Sequence, residues 1–183
     1  MMTQLGPSST QTTATFSPDD WIVHRHYGIG QIKAVETKTI GEEATTYYKI
    51  EAHNDSTIWV PVTSEDDLLR PAASKDEFAE VVQVLKRPSR RMNAQFQTRI
   101  ARIRKVSREG NPVMLARTVR DLWARRSRRG QLSTTEESHW RRLVDRLIAE
   151  WTVSMGLDET QANERLYTLL EAHALPSISK ASA

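Results

Sequence analysis

Hydrophobic and polar residues follow two different spacings along the chain, and the change comes near Pro71. Before it, apolar residues run together or alternate with a period of two, as in β-strands. Glycine, asparagine and aspartate separate the runs and indicate turns. Such short strands in close succession predict a small, strongly twisted sheet or barrel. The predicted strands are Trp21–His24, Gln31–Ile40, Thr46–Ala52 and Thr57–Pro61.

The alternation also assigns side chains to the two faces of the sheet. Ile32 and Ala34 are predicted to share one face of the second strand, and Tyr48 and Ile50 one face of the third. In the fourth strand Trp59 alternates with aliphatic residues, which makes it either a partly exposed interface aromatic or a core residue. The other tryptophans are predicted to be core residues: Trp21, Trp123, Trp140 and Trp151.

Beyond that proline, apolar residues recur every three or four positions, which predicts five amphipathic helices. Ser74 and the capping box Ser133–Glu136 mark helix starts, and Gly110 and Gly130 mark helix ends. The predicted apolar stripes are Phe78, Val81, Val82 and Leu85; Met92, Phe96, Ile100 and Ile103; Leu115, Val119, Leu122 and Trp123; Trp140, Leu143, Val144, Leu147, Ile148 and Trp151; and Ala162, Leu166, Leu169 and Leu170.

Strands followed by helices predict an α+β chain whose two kinds of structure are segregated. The first residues are polar and rich in serine and threonine, which predicts a disordered tail at 1–16. A β-domain is predicted at 17–72 and an all-α helical domain at 73–175, with a frayed tail at 176–183.

Composition excludes several classes of protein. The 183 residues include no cysteine, which removes disulfides, thiol catalysis and cysteine metal sites and fits a reducing cytoplasm. No apolar run reaches the roughly 18–20 residues of a membrane span, and no signal-peptide pattern is present. His24 and His26 lack a carboxylate at ligand spacing and are predicted to be structural. Gly28 and Gly30 predict a turn rather than a phosphate-binding loop. Because no catalytic motif is present either, we expect neither an enzyme nor a cofactor or metal site.

Charge is distributed unevenly along the chain. Residues 1–73 carry 5 Lys and Arg against 10 Asp and Glu, a net charge of −5. Residues 74–151 carry 19 against 9, a net charge of +10, and 16 of these 19 cations are arginines. Because the planar guanidinium binds phosphate oxygens in pairs, the basic segment predicts a nucleic-acid backbone binder. The alternative is a solvated helical surface.

The candidate phosphate contacts are predicted on the outward faces of the helices. Gln95, Arg99 and Arg102 fall at helical spacing on one face. Cations that face outward favour backbone contact over base reading. The neighbouring cations are Arg87, Arg90, Arg91, Arg104, Lys105 and Arg108, and further along come Arg125, Arg126, Arg128, Arg129, Arg141, Arg142 and Arg146.

Several stretches resemble one family in both order and spacing. They are Trp21–Ile32 (WIVHRHYGIGQI), Val35–Glu42 followed by Tyr47–Ile50, Val60–Val62 followed by Leu69–Pro71, Val84–Pro88 (VLKRP) and Val119–Trp123 (VRDLW). Together they span about residues 18–173 and are similar to the CarD family. The long basic or acidic tails of larger members are absent, as in the short, CdnL-type branch.

The resemblance implies a Tudor-like β-barrel followed by an all-α helical domain. The barrel is shared with transcription-repair coupling factor and would bind the β subunit of RNA polymerase through Lys38 and Trp59. Many members carry arginine where Trp59 stands. The helical domain would contact promoter DNA at the upstream edge of the transcription bubble and stabilise the open complex. A monomeric, cytoplasmic, nucleoid-associated regulator is expected.

In this family an aromatic residue, usually tryptophan, wedges into the minor groove and hinders bubble closure. The matching position is Phe96 without a gap, or Gln95 if the loop at Arg108–Gly110 is one residue longer. Phe96 also fits the inner stripe as a core residue, and Met92 is the next apolar candidate. The implied DNA-binding residues are Arg90, Arg91, Gln95, Phe96, Arg99 and Arg102.

Two other functions compete with this interpretation. A stand-alone, non-sequence-specific nucleoid-associated DNA-binding protein would use the same basic helices without any contact to polymerase. A nucleic-acid-processing enzyme is disfavoured, because the sequence contains no catalytic constellation. Co-elution with polymerase core enzyme separates the first of these from a polymerase-binding regulator.

Overall fold

A computed structural model of the chain describes residues 15–40, 43–64 and 68–173. Most of the two predicted tails therefore lies outside the described residues. Thr15 and Phe16 are described, and their backbone N–H groups donate to the hydroxyl of Tyr48. The Phe16 ring also packs edge-on against Tyr48, with 6.0 Å between ring centroids. These two residues of the predicted tail therefore pack against the sheet.

Five antiparallel strands form a single sheet: β1 (Trp21–His24), β2 (Gly28–Ile40), β3 (Glu43–Ala52), β4 (Thr57–Pro61) and β5 (Leu69–Pro71). Their order in the sheet is β4-β3-β2-β1-β5. A short 3-10 turn at Val62–Ser64 follows β4. The two outer strands, β4 and β5, are not paired with each other, so the described residues form a sheet that is not closed into a barrel.

A β-bulge in β2 changes the predicted faces of that strand. The register with β3 shifts between Ile32 and Ala34, so that Lys33 is the extra residue. Ile32 and Val35 consequently pack into the same core cluster, whereas strict alternation would separate them. Gly30 lies close to β3: a Cβ there would meet the Glu51 carbonyl oxygen at 2.8 Å.

Trp21 is not a core residue, contrary to the prediction. Its side chain is 40% exposed at the start of β1, while the next residue, Ile22, is fully buried. Ile22 packs with Tyr48 in the cluster of the sheet, and Val23 packs against the helical part. Aliphatic residues thus cover both faces of β1 beyond its first position.

Five helices follow the sheet, and their caps agree with the sequence signals. Ser74 and Ser133 each form a capping box, and Gly110 and Gly130 adopt the left-handed conformation at helix ends. The second helix begins at Phe96, so Met92 lies before it. The helices are α1 (Lys75–Lys86), α2 (Phe96–Glu109), α3 (Pro112–Arg129), α4 (Thr134–Met155) and α5 (Glu159–Ala172).

The helices enclose one apolar core. Trp140 and Trp151 are buried in it, as predicted, and Trp123 is partly buried against it. The Trp123 and Trp140 rings stack with 5.7 Å between centroids. Phe78 packs on Trp151 at 5.3 Å, which joins α1 to α4.

A buried carboxylate on α4 joins the helices to the sheet. Glu150 is 2% exposed and accepts two hydrogen bonds of 2.7 Å from the Arg70 guanidinium of β5. It also accepts one from the Ala73 N–H. Arg70 donates in addition to the Gly110 carbonyl at 2.6 Å. Three chain segments therefore meet around one ion pair.

Candidate protein and nucleic-acid interfaces

The sheet presents an aromatic side chain between two cations, which we call the Trp59 platform (Lys38, Lys49 and Trp59). Trp59 lies on the outer strand β4 and is 36% exposed. The Lys38 ammonium of β2 stands 3.2 Å from the centroid of its ring, and that of Lys49 stands at 5.7 Å. Cation–π contacts orient the ring, and a large exposed aromatic is the type of side chain that dominates protein interfaces.

The structure therefore brings together the two predicted protein-contact residues, Lys38 and Trp59. It also resolves the alternative of a core position for Trp59, because the aliphatic neighbour Val60 is buried in its place. Sequence reasoning missed Lys49. The signal lay in the register, because Lys49 is directly opposite Trp59 in the pairing of β3 with β4.

Phe96 is an exposed aromatic at the first position of α2. Its side chain is 38% exposed, which excludes the core alternative. Gln95 precedes it as the N-cap residue and is also exposed. Met92 packs against the helical core and is partly buried, so it presents less surface than Phe96. Of the three wedge candidates, Phe96 alone is both aromatic and exposed.

Arg99 does not face outward, contrary to the prediction, and its guanidinium is engaged inside the protein. The residue is 4% exposed, and its Nε donates to Glu136 Oε1 at 2.8 Å. Its Nη1 donates to the carbonyls of Asn93 and Ala94. The guanidinium thus ties the segment before α2 to the start of α4. Arg99 faces inward because it lies on the buried face of α2 with Ile103 and Val106, which follow it by four and seven residues.

Glu136 has three roles at this point: it caps α4, pairs with Arg99 and pairs with Arg125 at 3.1 Å. Burial alone raises the pKa of Glu136. Hydrogen bonds from Arg99 and Ser133 and the positive charge of Arg125 outweigh that effect, so the pKa lies below its ordinary value. Arg125 is consequently also part of the interior rather than of a binding surface.

Arg90 and Arg102 meet at what we call the basic cleft, a cavity of about 320 Å³ whose arginine lining includes Arg87, Arg90, Arg102 and Arg117. Asp121 lies at its base, 1% exposed and 3.6 Å from an Arg102 Nη atom. The Arg102 side chain remains 43% exposed. Arg91 is exposed but does not line this cleft.

Asp121 is held by the residue that precedes it in the chain. Arg120, 5% exposed, donates to Asp121 Oδ1 at 2.8 Å and to the Val84 carbonyl at 2.8 Å. Asp121 also accepts from the Arg90 N–H at 2.9 Å. Sequence reasoning noted this Arg-Asp pair only as a motif. The structure shows that it fastens the end of α1 and the following segment to α3.

His24, one of the two histidines predicted to be structural, has a structural role in the sheet region. His24 is 4% exposed, and its Nδ1 accepts from the N–H groups of His26 and Tyr27. Burial, followed by the charges of His26 and Arg146, lowers the pKa of His24. Within residues 15–40, 43–64 and 68–173, no three His, Asp or Glu side chains are grouped to hold a metal ion. No described helix is long and apolar enough to cross a membrane.

Two family models match the chain in succession: the CarD-like/TRCF RID domain at residues 16–73 and the CarD C-terminal domain at residues 80–167. The first match confirms a Tudor-like β-domain, here with an unclosed sheet. The chain is also 34% identical over 58 residues to the transcription-repair-coupling factors of Staphylococcus aureus and Staphylococcus epidermidis. That similarity covers 32% of this chain and only 5% of the length of these relatives.

Proposed function

The chain belongs to the CarD family, and we propose that it is a bacterial transcription regulator that binds RNA polymerase and promoter DNA. The succession of the two family matches along one chain carries this proposal. The uneven charge supports it independently: an acidic β region suits a protein contact, and a basic helical region suits DNA.

The polymerase contact is proposed for the Trp59 platform and the outer strand that carries it. Residues 57–61 form an outer strand of the described sheet, and such a strand can pair with a strand of a partner. Trp59 would supply apolar contact area, while Lys38 and Lys49 would favour an acidic neighbour. The partner proposed here is the β subunit.

The DNA contact is proposed for the surface formed by Phe96 and the basic cleft. Arg90 and Arg102 would bind backbone phosphates, with Arg91 and Gln95 beside them. Phe96 would insert at the upstream edge of the bubble and hinder closure of the duplex, which stabilises the open complex. This role requires neither catalysis nor a cofactor.

Size-exclusion chromatography with polymerase core enzyme tests the proposal. We expect the protein to co-elute with the core enzyme and, separately, with the isolated β subunit. If it binds duplex DNA but elutes apart from polymerase, the stand-alone nucleoid-associated function replaces this one. The same column checks the proposed monomeric state. The division into a β-domain at 17–72 and a helical domain at 73–175, and the location at the nucleoid, remain predictions.

A further inference from the structure

Helix α2 carries cations on both of its flanks, and only one flank faces the basic cleft. On the other flank, α2 and α4 enclose a groove of about 470 Å³. We call it the α2–α4 groove. It is lined by Ala101, Arg104, Ser107, Arg108, His139 and Arg142.

The positive charge of this groove is not neutralised. None of its described lining residues is acidic, whereas the basic cleft contains Asp121. The side chains of Arg104 and Arg108 make no hydrogen bond or ion pair with any residue that the structure describes. Arg142 donates only to Ser138 of its own helix. Three guanidinium groups are therefore available to an anion.

The pKa of His139 is affected by the same uncompensated positive charge. Burial lowers the pKa of His139, and the positive charges of Arg142 and Arg104 lower it further. The groups that face it from α2 are Arg104, Ser107 and Arg108, and on its own helix Arg142 lies one turn away. A bound phosphate would oppose these charges and raise the pKa of His139.

The geometry points to a second phosphate-binding site in the α2–α4 groove, and we propose that it holds the sugar–phosphate backbone of nucleic acid. Arg104 and Arg108 are four residues apart, about 6 Å along α2, and Arg142 faces them from α4. This spacing lets neighbouring phosphates of one strand each meet a guanidinium. The inference rests on the proposed DNA contact and adds a site to it.

The lining favours backbone phosphate over a free nucleotide. Ala101 is the only apolar side chain among the described lining residues, and none of them is a phenylalanine, tyrosine or tryptophan on which a base would stack. Arg104 follows Phe96 by eight residues, about 12 Å along the same helix. A strand that meets Phe96 at the start of α2 can thus continue along the groove.

Charge-neutralising variants test the groove. We would measure the affinity of the full chain for a mixed-sequence DNA duplex across a salt series, for R104Q, R142Q and the double variant. Each lost phosphate contact should reduce the slope of log affinity against log salt by about 0.9, and the double variant by about 1.8. R165Q removes one positive charge from an exposed position on α5 and should leave the slope at the wild-type value.

Two further measurements sharpen the result. R104K keeps a positive charge and should retain the wild-type slope, which separates loss of charge from loss of fold. The pKa of His139, followed by NMR, should rise when duplex DNA is added to the wild type. Inorganic tripolyphosphate is the second probe, because it offers the same chemistry without a strand.

Each outcome decides the proposal. Wild-type slopes in R104Q and R142Q overturn it while leaving the proposed function intact. If R104Q and R142Q bind DNA like the wild type but no longer bind tripolyphosphate, the proposal is also overturned, because the groove then binds a free polyphosphate. If the wild type itself binds no DNA, both the groove and the proposed DNA contact fail, whereas polymerase binding is judged separately on the column.

Discussion

The lysines of strand β2 and two arginines of the helices lie in opposite environments. The lysines of β2 stay at the surface: Lys38 lies over Trp59, and Lys33 forms an exposed ion pair of 2.9 Å with Glu51. In the helices, Arg99 and Arg120 are about 95% buried and bound to carboxylates. The net charge of +10 over residues 74–151 is therefore not all available to a ligand.

The number of arginines in a sequence therefore combines two groups: buried arginines that bind carboxylates inside the fold, and exposed arginines that are available to a ligand. A buried ion pair adds little net stability, since desolvation offsets the attraction, but removal of one partner leaves a costly unpaired charge. A surface cation can be replaced at little cost to the fold. The two kinds of arginine should thus separate cleanly in experiments on stability and on binding.

The largest effect is expected where the two kinds of arginine lie on the same helix. Arg99→Met leaves Glu136 buried without its main partner and should lower the free energy of unfolding by about 3–5 kcal/mol. Arg102→Met, three residues along α2, should change it by less than about 0.5 kcal/mol, since its side chain is 43% exposed. Urea denaturation of both variants checks the contrast. Equal losses in the two variants would contradict it.

The next effect concerns two tryptophans of similar exposure on the sheet. Trp59→Ala should weaken binding to the polymerase β subunit roughly 30-fold, because exposed aromatics that anchor an interface contribute about 2 kcal/mol. Trp21→Ala serves as the matched control, 40% exposed at the start of β1, and should bind like the wild type. Surface plasmon resonance with the immobilised β subunit gives both values. If Trp21→Ala carries the larger loss, the platform is wrongly assigned.

A smaller effect is expected at Phe96. Phe96→Ala should cost less than about 1 kcal/mol of stability, well below the roughly 3–5 kcal/mol of a core phenylalanine. Open-complex lifetime should nevertheless fall several-fold, and Phe96→Trp should preserve it. Promoter-dissociation kinetics measure the lifetime, and thermal melting measures the stability. An unchanged lifetime would exclude an aromatic wedge at this position.

The smallest effect is expected from pH. The pKa of Glu136 in the folded chain lies below the ordinary value of 4.5, so this carboxylate stabilises the fold above that pH. Its contribution should be lost as the pH falls through the lowered pKa. Glu136→Gln removes the titrating group and should flatten the loss of unfolding free energy in acid. Identical acid profiles for variant and wild type would show that Glu136 does not contribute.

The local signals in the sequence predicted most of the fold. Capping residues such as Ser74 and Ser133, and the left-handed glycines, have short-range causes that can be read from a few neighbours. The bulge at Lys33 and the exposure of Trp21 depend on pairing across strands. Alternation along one strand carries no information on such pairing, so both were assigned wrongly.

The candidate site shows the same limit. Lys38 and Trp59 were paired through the family resemblance, and their 3.2 Å contact needs β2 and β4 to lie on either side of β3. Arg99 and Arg102 are three residues apart, a spacing that predicts one common exposed face of the helix. Arg99 is nevertheless buried against Glu136, which is 37 residues away in the chain. Burial of a charge requires a distant partner, which spacing alone cannot identify.

The ion pair between Arg70 and Glu150 bears on whether this chain can be divided into a sheet fragment and a helical fragment. A cut after Ala73 would place the cation on one fragment and the buried carboxylate on the other. The helical fragment would then hold an uncompensated charge, and the carbonyl of Gly110 would lose its donor. The sheet and the helices, which have different proposed partners, would thus have to be inherited together. A recombination event that exchanges one of them must keep both Arg70 and Glu150.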